Sequence, residues 1–361
     1  MSIDLHFEPK DWERIQHDWT AWWHHELDRP MVVINAYEWE GKAFIQQHNG
    51  WNEAKNLSPI DPVLDYYQQV LENQRFYGDS WPRWLPNFGP GIVAGFLGAR
   101  VGSDDRTVWF EPSEKSNLAD LHLQYNENNF WWRWVQELIQ AAIQRWGDQV
   151  TVAHPDLGGN LDILASFRTT QNLLMDLYDT PAEIDRLVSE VTGLWLQYYD
   201  ELYRFIQPVG NGTTAWTPVW CSERYYMLQS DFAYMISPQM FERFALPDLA
   251  DCCQHLDYAF YHLDGKGQIP HLDMLLSLER LRGIQWIPGD GQPPAEEWLP
   301  MLKRIRDSGK LCQVYASPKA VRTIVRELGG KGFAFWITET ISEEDIIGLL
   351  REIKFEYRLS K

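Results

Sequence analysis

The sequence predicts an α/β protein folded as a single (β/α)8 TIM barrel with extra helices at its N-terminus. Short apolar runs alternate with longer segments of helical periodicity, the pattern of βα units in a parallel sheet. Eight such runs occur along the 361 residues, which suits a closed barrel. The chain contains no internal repeat or linker. We therefore treat residues 1–361 as one domain, in which residues 1–80 include the additional helices.

The predicted strands are rich in β-branched and aromatic residues, and the second is the weakest of them. In chain order they lie at Met31–Ala36, within Gly91–Phe110, and at Val150–His154, Thr213–Trp220, Tyr258–Asp264, Gly283–Ile287, Leu311–Tyr315 and Gly332–Ile337. Helix starts are indicated where Thr180, Ser237 and Ser317 each precede a proline. Residues 11–28 and 61–77 have helical patterns and form the predicted N-terminal addition.

The composition restricts the classes of partner. A formal net charge of −19 argues against nucleic acid and anionic membrane surfaces, because phosphate binding needs clustered Lys and Arg. No run approaches the roughly 20 apolar residues that span a bilayer. The first residues lack the basic and apolar regions of a signal peptide. We expect a cytoplasmic protein that acts on a small-molecule substrate; its oligomeric state is not predicted.

The loops that follow the predicted strands carry an unusual number of polar groups. In a TIM barrel these loops meet at one mouth, where the active site lies. The candidate site residues are Glu223, Arg224, Asp231, His262, Asp264 and Glu339. The loops after strands three and six add His154, Asp156, Asn160 and Asp290. We expect the candidate residues to line one pocket.

The pair His262 and Asp264 points most directly to a reaction type. Residues i and i+2 of a strand project from the same face, so the imidazole and the carboxylate lie together. With Glu339 as a third donor they would form a three-ligand metal site that keeps an open position. The alternative is a hydrogen-bonded pair at the barrel mouth without a metal.

A family resemblance begins at the same residues. The segment His262-Leu-Asp-Gly265, preceded by a helix that starts at Ser237-Pro238, resembles the superfamily that joins uroporphyrinogen decarboxylase with barrel methyltransferases acting on methyl-corrinoid proteins. Gly89-Pro-Gly91 and the closing helix at Ser342–Asp345 are similar too. In pattern, the resemblance covers roughly residues 28–350.

The resemblance implies a (β/α)8 fold and methyl transfer at a metal ion, with a corrinoid carried by a partner protein. The methyltransferases bind zinc through a His-x-Cys pair on strand five and a cysteine near the end of strand eight. His262 matches the histidine, whereas Asp264 and Glu339 stand at or near the places of the two cysteines. Carboxylates in place of thiolates suit oxygen-binding cations such as Zn, Mn or Fe.

Three catalytic functions are therefore expected, ranked by how well the sequence supports each. The first is methyl transfer at a site of His262, Asp264 and Glu339. The second is metal-free decarboxylation of a small carboxylate, in which Asp231 or Asp264 protonates carbon and Arg224 holds the substrate. The third is glycoside hydrolysis with Glu223 as one carboxylate, prompted by the 19 tryptophans. A non-catalytic binding module is the remaining alternative.

Overall fold

The computed structural model of the protein describes residues 3–39, 42–44, 54, 59–104, 107–113, 117–339 and 341–354. Across these ranges the chain is a mixed α/β structure with one mostly parallel central sheet, as the sequence predicts. No helix within them is long and apolar enough to cross a lipid bilayer.

The strands of the described ranges, in chain order, are β1 Met31–Trp39, β2 Lys42–Phe44, β3 Gln74–Gly78, β4 Arg83–Trp84, β5 Arg100–Ser103, β6 Val108–Glu111, β7 Thr151–Val152, β8 Tyr225–Leu228, β9 Tyr258–Asp264, β10 Leu281–Ile287, β11 Leu311–Ala316 and β12 Phe333–Ile337. The predicted first, third, fifth, sixth, seventh and eighth strands are confirmed within a few residues. The fifth has the bounds that the sequence predicts.

The α-helices are α1 Pro9–Trp23, α2 Ile60–Glu72, α3 Val93–Phe96, α4 Phe130–Trp146, α5 Asn160–Arg168, α6 Thr170–Asp179, α7 Pro181–Ile206, α8 Pro238–Phe244, α9 Leu246–His255, α10 Leu272–Ser277, α11 Leu299–Asp307, α12 Pro318–Leu328 and α13 Glu343–Glu352. The predicted helix starts at Ser237 and Ser317 are confirmed, because each hydroxyl accepts a hydrogen bond from the amide three residues later. Thr180 precedes α7 without such a bond.

The central sheet has the strand order β2-β1-β12-β11-β10-β9-β8, with β3 also paired to β1. The pairs from β8 through β12 to β1 are all parallel, whereas β2 and β3 run antiparallel to β1. The carboxyl ends of β8 to β12 therefore lie along one edge. Side chains and loops at these ends are brought close together although they are far apart in sequence.

The second predicted strand is wrong. Gly91–Phe110 contains the short helix α3 and the antiparallel hairpin of β5 and β6, which pairs outside the central sheet. Instead, β4 at Arg83–Trp84 pairs in parallel with β7. A two-residue strand flanked by prolines carries too little periodicity to be recognised from sequence.

The fourth predicted strand, Thr213–Trp220, is also wrong. Thr213 and Cys221 form an isolated antiparallel bridge, so this segment folds back on itself. Pro218 within it has no amide to donate to a neighbouring strand. The parallel strand is β8, which begins only after this segment ends. The apolar composition of the segment reflects its burial rather than a strand.

Helix α1 covers the sheet with buried tryptophans. Trp19, Trp22 and Trp23 are each at most 2% exposed. The indole N–H of Trp22 donates to the carbonyl of Phe333 at 3.1 Å, and that of Trp23 donates to the carbonyl of Trp220 at 2.8 Å. One acceptor lies at the start of β12 and the other in the buried segment that precedes β8, so these indoles belong to the core.

A buried ion pair fastens α1 to β1. Asp79 is fully buried and accepts hydrogen bonds at 2.8 Å from both terminal nitrogens of Arg29 and from the amide of Val32. Arg29 also donates to Asp18 of α1 at 2.8 Å. Two-point contact between guanidinium and carboxylate fixes the geometry of both groups. The pair therefore holds together α1, the start of β1 and the chain that follows β3.

We expect Asp79→Asn to lower the free energy of unfolding by about 3 kcal/mol, because removing one member of a buried pair leaves the other charge uncompensated. Urea unfolding followed by tryptophan fluorescence measures the change. Asp28→Asn is the control, since Asp28 is exposed and its ion pair with Lys331, at 3.2 Å, is exposed too. Equal effects of the two substitutions would contradict the role given to Asp79.

Candidate functional site

Three candidate residues meet at the carboxyl end of the parallel strands. Asp231, His262 and Asp264 each place one potential ligand atom within 4.8 Å of the others. His262 and Asp264 lie in β9 and are half-buried, whereas Asp231 is exposed and opens the 3-10 helix Asp231–Met235 that follows β8. Because β8 and β9 are hydrogen-bonded neighbours, their carboxyl ends bring these residues together.

A row of hydrogen bonds across three strands supports His262. The register pairs His262 with Gln285 of β10, and Gln285 with Gln313 of β11. His262 Nδ1 is bonded to Gln285 Oε1, Gln285 Nε2 donates to Gln313 Oε1 at 2.7 Å, and Gln313 Nε2 donates to the carbonyl of Pro218 at 3.4 Å. Both glutamines are at most 1% exposed, so no bulk water competes for these bonds.

The direction of this row defines the tautomer of His262. The carbonyl of Pro218 can only accept, so the amide nitrogen of Gln313 must face it. Gln313 therefore presents its oxygen to Gln285, which in turn presents its oxygen to His262. The imidazole must donate from Nδ1. In the neutral ring this leaves the lone pair on Nε2, available to a cation or a proton.

Trp216 restricts the same imidazole from another side. Its ring packs edge-to-face against His262, with centroids 5.0 Å apart and an interplanar angle of 85°. The indole N–H donates to the carbonyl of Met227 at 3.2 Å, which fixes the tryptophan. The ring of His262 is thus held by a hydrogen bond at one edge and by packing, a preorganised arrangement.

Further carboxylates surround the group. Asp162 accepts hydrogen bonds from the backbone amides of Asp231 at 3.0 Å and Phe232 at 2.7 Å. Burial, reinforced by the charge of Asp231, raises the pKa of Asp162 to about 8. Burial also raises the pKa of Asp156 to about 7, against the stabilising amide of Gly158. These carboxyl groups hold protons more strongly than exposed ones do.

The pKa of Asp231 is also raised. Loss of water around the carboxylate is the largest cause, and the nearby charge of Asp264 adds to it, whereas His262 acts in the opposite direction. Like charges so close together favour either a bound proton or a bound cation. The arrangement can therefore donate a proton or bind a metal ion.

The predicted metal set of His262, Asp264 and Glu339 needs correction. Within the described ranges the group of ligand atoms contains Asp231, and Glu339 is not part of it. Glu339 follows β12, which is three strands away from β9, or about 14 Å along the sheet. It lines a neighbouring cavity instead. Asp231 follows the strand adjacent to β9 and supplies the third potential ligand atom of the group.

The placement predicted for Glu223 and Arg224 is wrong as well. Both residues precede β8, and the carbonyl of Arg224 accepts from the amides of Asp257 and Tyr258 at the start of β9. Six residues of extended chain, or about 20 Å, separate Tyr258 from Asp264. Glu223 and Arg224 therefore lie at the entry end of the strands. The misplaced fourth strand had made them appear to be exit residues.

Two other polar residues predicted near the mouth are core residues. His154 is fully buried and stacks on Tyr199 with ring centroids 4.7 Å apart, and burial lowers its pKa to about 3. Asn160 donates to Thr192 at 2.7 Å and to the buried carboxyl of Asp248. Burial raises the pKa of Asp248 to about 7. Neither residue belongs to the candidate site.

The supporting residues were missed by sequence reasoning. Gln285, Gln313 and Trp216 hold His262 in place, yet none follows a predicted strand. A signal was present, because a glutamine in the middle of an otherwise apolar run is costly unless it is hydrogen-bonded. Recognising that the two glutamines are partners requires the strand register.

Comparison with known proteins does not extend this assignment. No protein-family model matches the chain, and no curated protein is significantly similar to it. The resemblance to the decarboxylase and methyltransferase superfamily stays a prediction.

We expect Gln285→Met to shift His262 from the Nδ1–H tautomer toward the Nε2–H tautomer, because the acceptor at Nδ1 is lost. Nitrogen-15 NMR of histidine-labelled protein measures the two populations. His271 is the internal control, since its Nε2 faces the carbonyl of Ala233 at 2.9 Å and must donate there. An unchanged His262 signal in the variant would contradict the proposed direction of the hydrogen-bond row.

We expect the buried Asp248 to make stability depend on pH. Between about pH 4 and about pH 7 the folded protein keeps the proton of Asp248 while the unfolded chain has lost it, so this contribution declines as pH rises through that window. Asp248→Asn should remove this part of the decline in urea unfolding. Asp179→Asn, at an exposed position of α6, should leave it in place. Identical pH profiles for wild type and Asp248→Asn would contradict the expectation.

Proposed function

We propose that the protein is a metal-dependent enzyme in which Asp231, His262 and Asp264 bind a divalent cation, and that it transfers a methyl or similar one-carbon group to or from a small substrate. The observation that carries the proposal is the tautomer of His262. A buried row of hydrogen bonds directs the lone pair of Nε2 away from the glutamines, while two carboxylates lie within 4.8 Å.

The donor set fits such a cation. One imidazole nitrogen and two carboxylates balance the charge of a divalent ion and leave a position for substrate or water. Two oxygen donors and one nitrogen suit Zn, Mn or Fe better than a thiolate-selective ion. Asp156 and Asp162 lie nearby with raised pKa values, and a bound cation would favour loss of their protons, so that their charge would then add to its binding. When bound, the ion would supply Lewis acidity at a substrate oxygen.

The protein's own residues would prepare the site for that chemistry. Gln285 keeps the imidazole in one tautomer, and Trp216 limits its rotation. Asp162 holds the backbone of Asp231 and so fixes the start of the 3-10 helix. In the family that the sequence resembles, a corrinoid protein carries the methyl group, and our proposal includes such a partner.

We further propose that the sheet closes into a (β/α)8 barrel. Backbone hydrogen bonds continue beyond its regular pairs: Asp79 donates to Val32 at 2.7 Å, Ala153 donates to Trp84 at 2.8 Å, and His154 donates to Thr214 at 3.0 Å. These bonds support a path from β1 through β4 and β7 toward β8. If the sheet closes, the proposed metal site would lie at the carboxyl-terminal opening of the barrel.

Metal-free decarboxylation is the second candidate. The raised pKa of Asp231 favours it, because a carboxyl group that keeps its proton can protonate carbon after CO2 is lost. However, Arg224, the expected anchor for a substrate carboxylate, lies at the other end of the strands. Glycoside hydrolysis is disfavoured for the same reason. Glu223, its expected catalytic carboxylate, lies with Arg224 at the amino-terminal end of the strands.

Metal content tests the proposal. Protein purified without added metal should contain close to one equivalent of a transition metal, measured by plasma mass spectrometry. Asp231→Asn, His262→Ala and Asp264→Asn should each reduce metal content at least tenfold, because three-ligand sites tolerate ligand loss poorly. Glu339→Gln is the matched control and should keep its metal, since Glu339 lies outside the ligand group.

The reaction is tested with the same variants. Methylcobalamin and the candidate acceptor substrates are incubated with the protein, and loss of the cobalt-bound methyl group is followed by visible absorbance. Activity should decline in parallel with metal content and return when Zn, Mn or Fe is added to chelator-treated wild type. Less than about a tenth of an equivalent of metal, with no gain of activity on metal addition, would reject the metal site in favour of the decarboxylase.

A further inference from the structure

A cavity of about 330 Å3 lies beside the candidate metal site. It is formed where β10, β11 and β12 end, and its wall includes Ile287, Tyr315 and Ala316. Its charged lining residues are Asp290, Glu296 and Glu339, which are all acidic. The volume is at the small end of the range for small-molecule sites.

Glu296 leaves one hydrogen-bond acceptor unsatisfied. The residue is only 9% exposed, and its Oε1 atom pairs with Lys319 at 3.2 Å. Its Oε2 atom is buried and has no hydrogen-bond partner among the residues that the structure describes. A buried carboxylate oxygen without a donor is costly, so a ligand that donates a hydrogen bond there would be strongly favoured.

The cavity adjoins the residues that form and support the metal site. The amide of Gly265, directly after Asp264, donates to the carbonyl of Ile287 at 2.8 Å. Ile287, in the cavity wall, is the register partner of Asp264 in the pairing of β10 with β9. A molecule in contact with Ile287 therefore lies one strand away from Asp264.

Two basic side chains that line an adjoining cavity, Lys319 and Arg322, already have partners. Lys319 is paired with Glu296 through Oε1, and Arg322 is hydrogen-bonded to Glu352 at 3.3 Å. Asp290 and Glu339 are exposed and add negative charge at the rim. The lining therefore favours a positively charged ligand.

We propose that this cavity binds the protonated amine of the substrate, with Oε2 of Glu296 accepting an N–H hydrogen bond. An ammonium group satisfies both the charge of the lining and the missing donor. A quaternary ammonium has the charge but no N–H, and an alcohol has a donor but no charge. The substrate is accordingly a small amine, and its reacting end extends from the cavity toward Asp264 and His262. The binding of the amine stands by itself, whereas the position of the reacting end rests on the proposed function.

The experiment compares three probes by ligand-observed NMR at pH 7.5 and low salt: n-propylammonium, tetramethylammonium and 1-propanol. We expect n-propylammonium to bind at least tenfold more tightly than either of the others. Glu296→Gln should weaken its binding by about tenfold or more, because a charged acceptor is replaced. Glu297→Gln is the matched control: the residue is adjacent and exposed, lies outside the cavity, and should change binding less than about twofold.

Further variants separate this proposal from the metal site and from misfolding. Glu339→Gln, at an exposed rim position, should weaken n-propylammonium binding severalfold without affecting folding. In His262→Ala, which removes a metal ligand, binding of the probe should persist. Loss of metal in that variant with retained probe binding supports both proposals, whereas a metal-loaded wild type that does not bind the probe overturns this one alone. Equal binding of the three probes, or equal effects of Glu296→Gln and Glu297→Gln, also overturns it.

Discussion

The register between β9, β10 and β11 is the constraint on which the candidate site depends. It places His262, Gln285 and Gln313 side by side in neighbouring strands about 4.8 Å apart, where their side chains can bond in series. A slip of one residue in β10 would turn Gln285 to the opposite face and leave His262 without its acceptor. The parallel direction of these strands then brings Asp231 from the end of β8 to the same place. Geometry of the backbone thus determines which groups can react together.

The supporting row is neutral, and this affects the chemistry. A carboxylate bonded to Nδ1 would stabilise the imidazolium form of His262, whereas an amide oxygen orients the ring without adding charge. Gln285 and Gln313 are fully buried, yet each donates and accepts, so the row avoids the penalty of unsatisfied amides. Negative charge is concentrated instead on the aspartates at the strand ends. The site combines an imidazole held in one orientation with carboxylates that compete for protons or a cation.

Sequence reasoning succeeded where a pattern has one physical explanation and failed where it has two. Tyr258–Asp264 is a dense run of strand-forming residues, so its bounds and the shared face of its last residues were predictable. Thr213–Trp220 is equally apolar, but burial of a folded-back segment produces the same composition as a strand. That ambiguity misplaced Glu223 and Arg224. Asp231 was recognised as a site residue but not as a potential ligand beside His262 and Asp264, because the adjacency of β8 and β9 is a property of the sheet.

The tryptophans of α1 have a consequence for how the protein can vary. The indole N–H of Trp22 donates to the carbonyl of Phe333 at the start of β12, and the ring of Trp23 packs on Tyr225 and Tyr258 at the starts of β8 and β9, so aromatic rings cover this end. These packed rings lie at the opposite end from the loops that follow the strands. Those loops can accept substitutions, insertions or altered charge with little loss of cohesion. A lineage carrying this helix can therefore exchange one substrate for another by changing loops alone, while the closed end is inherited intact.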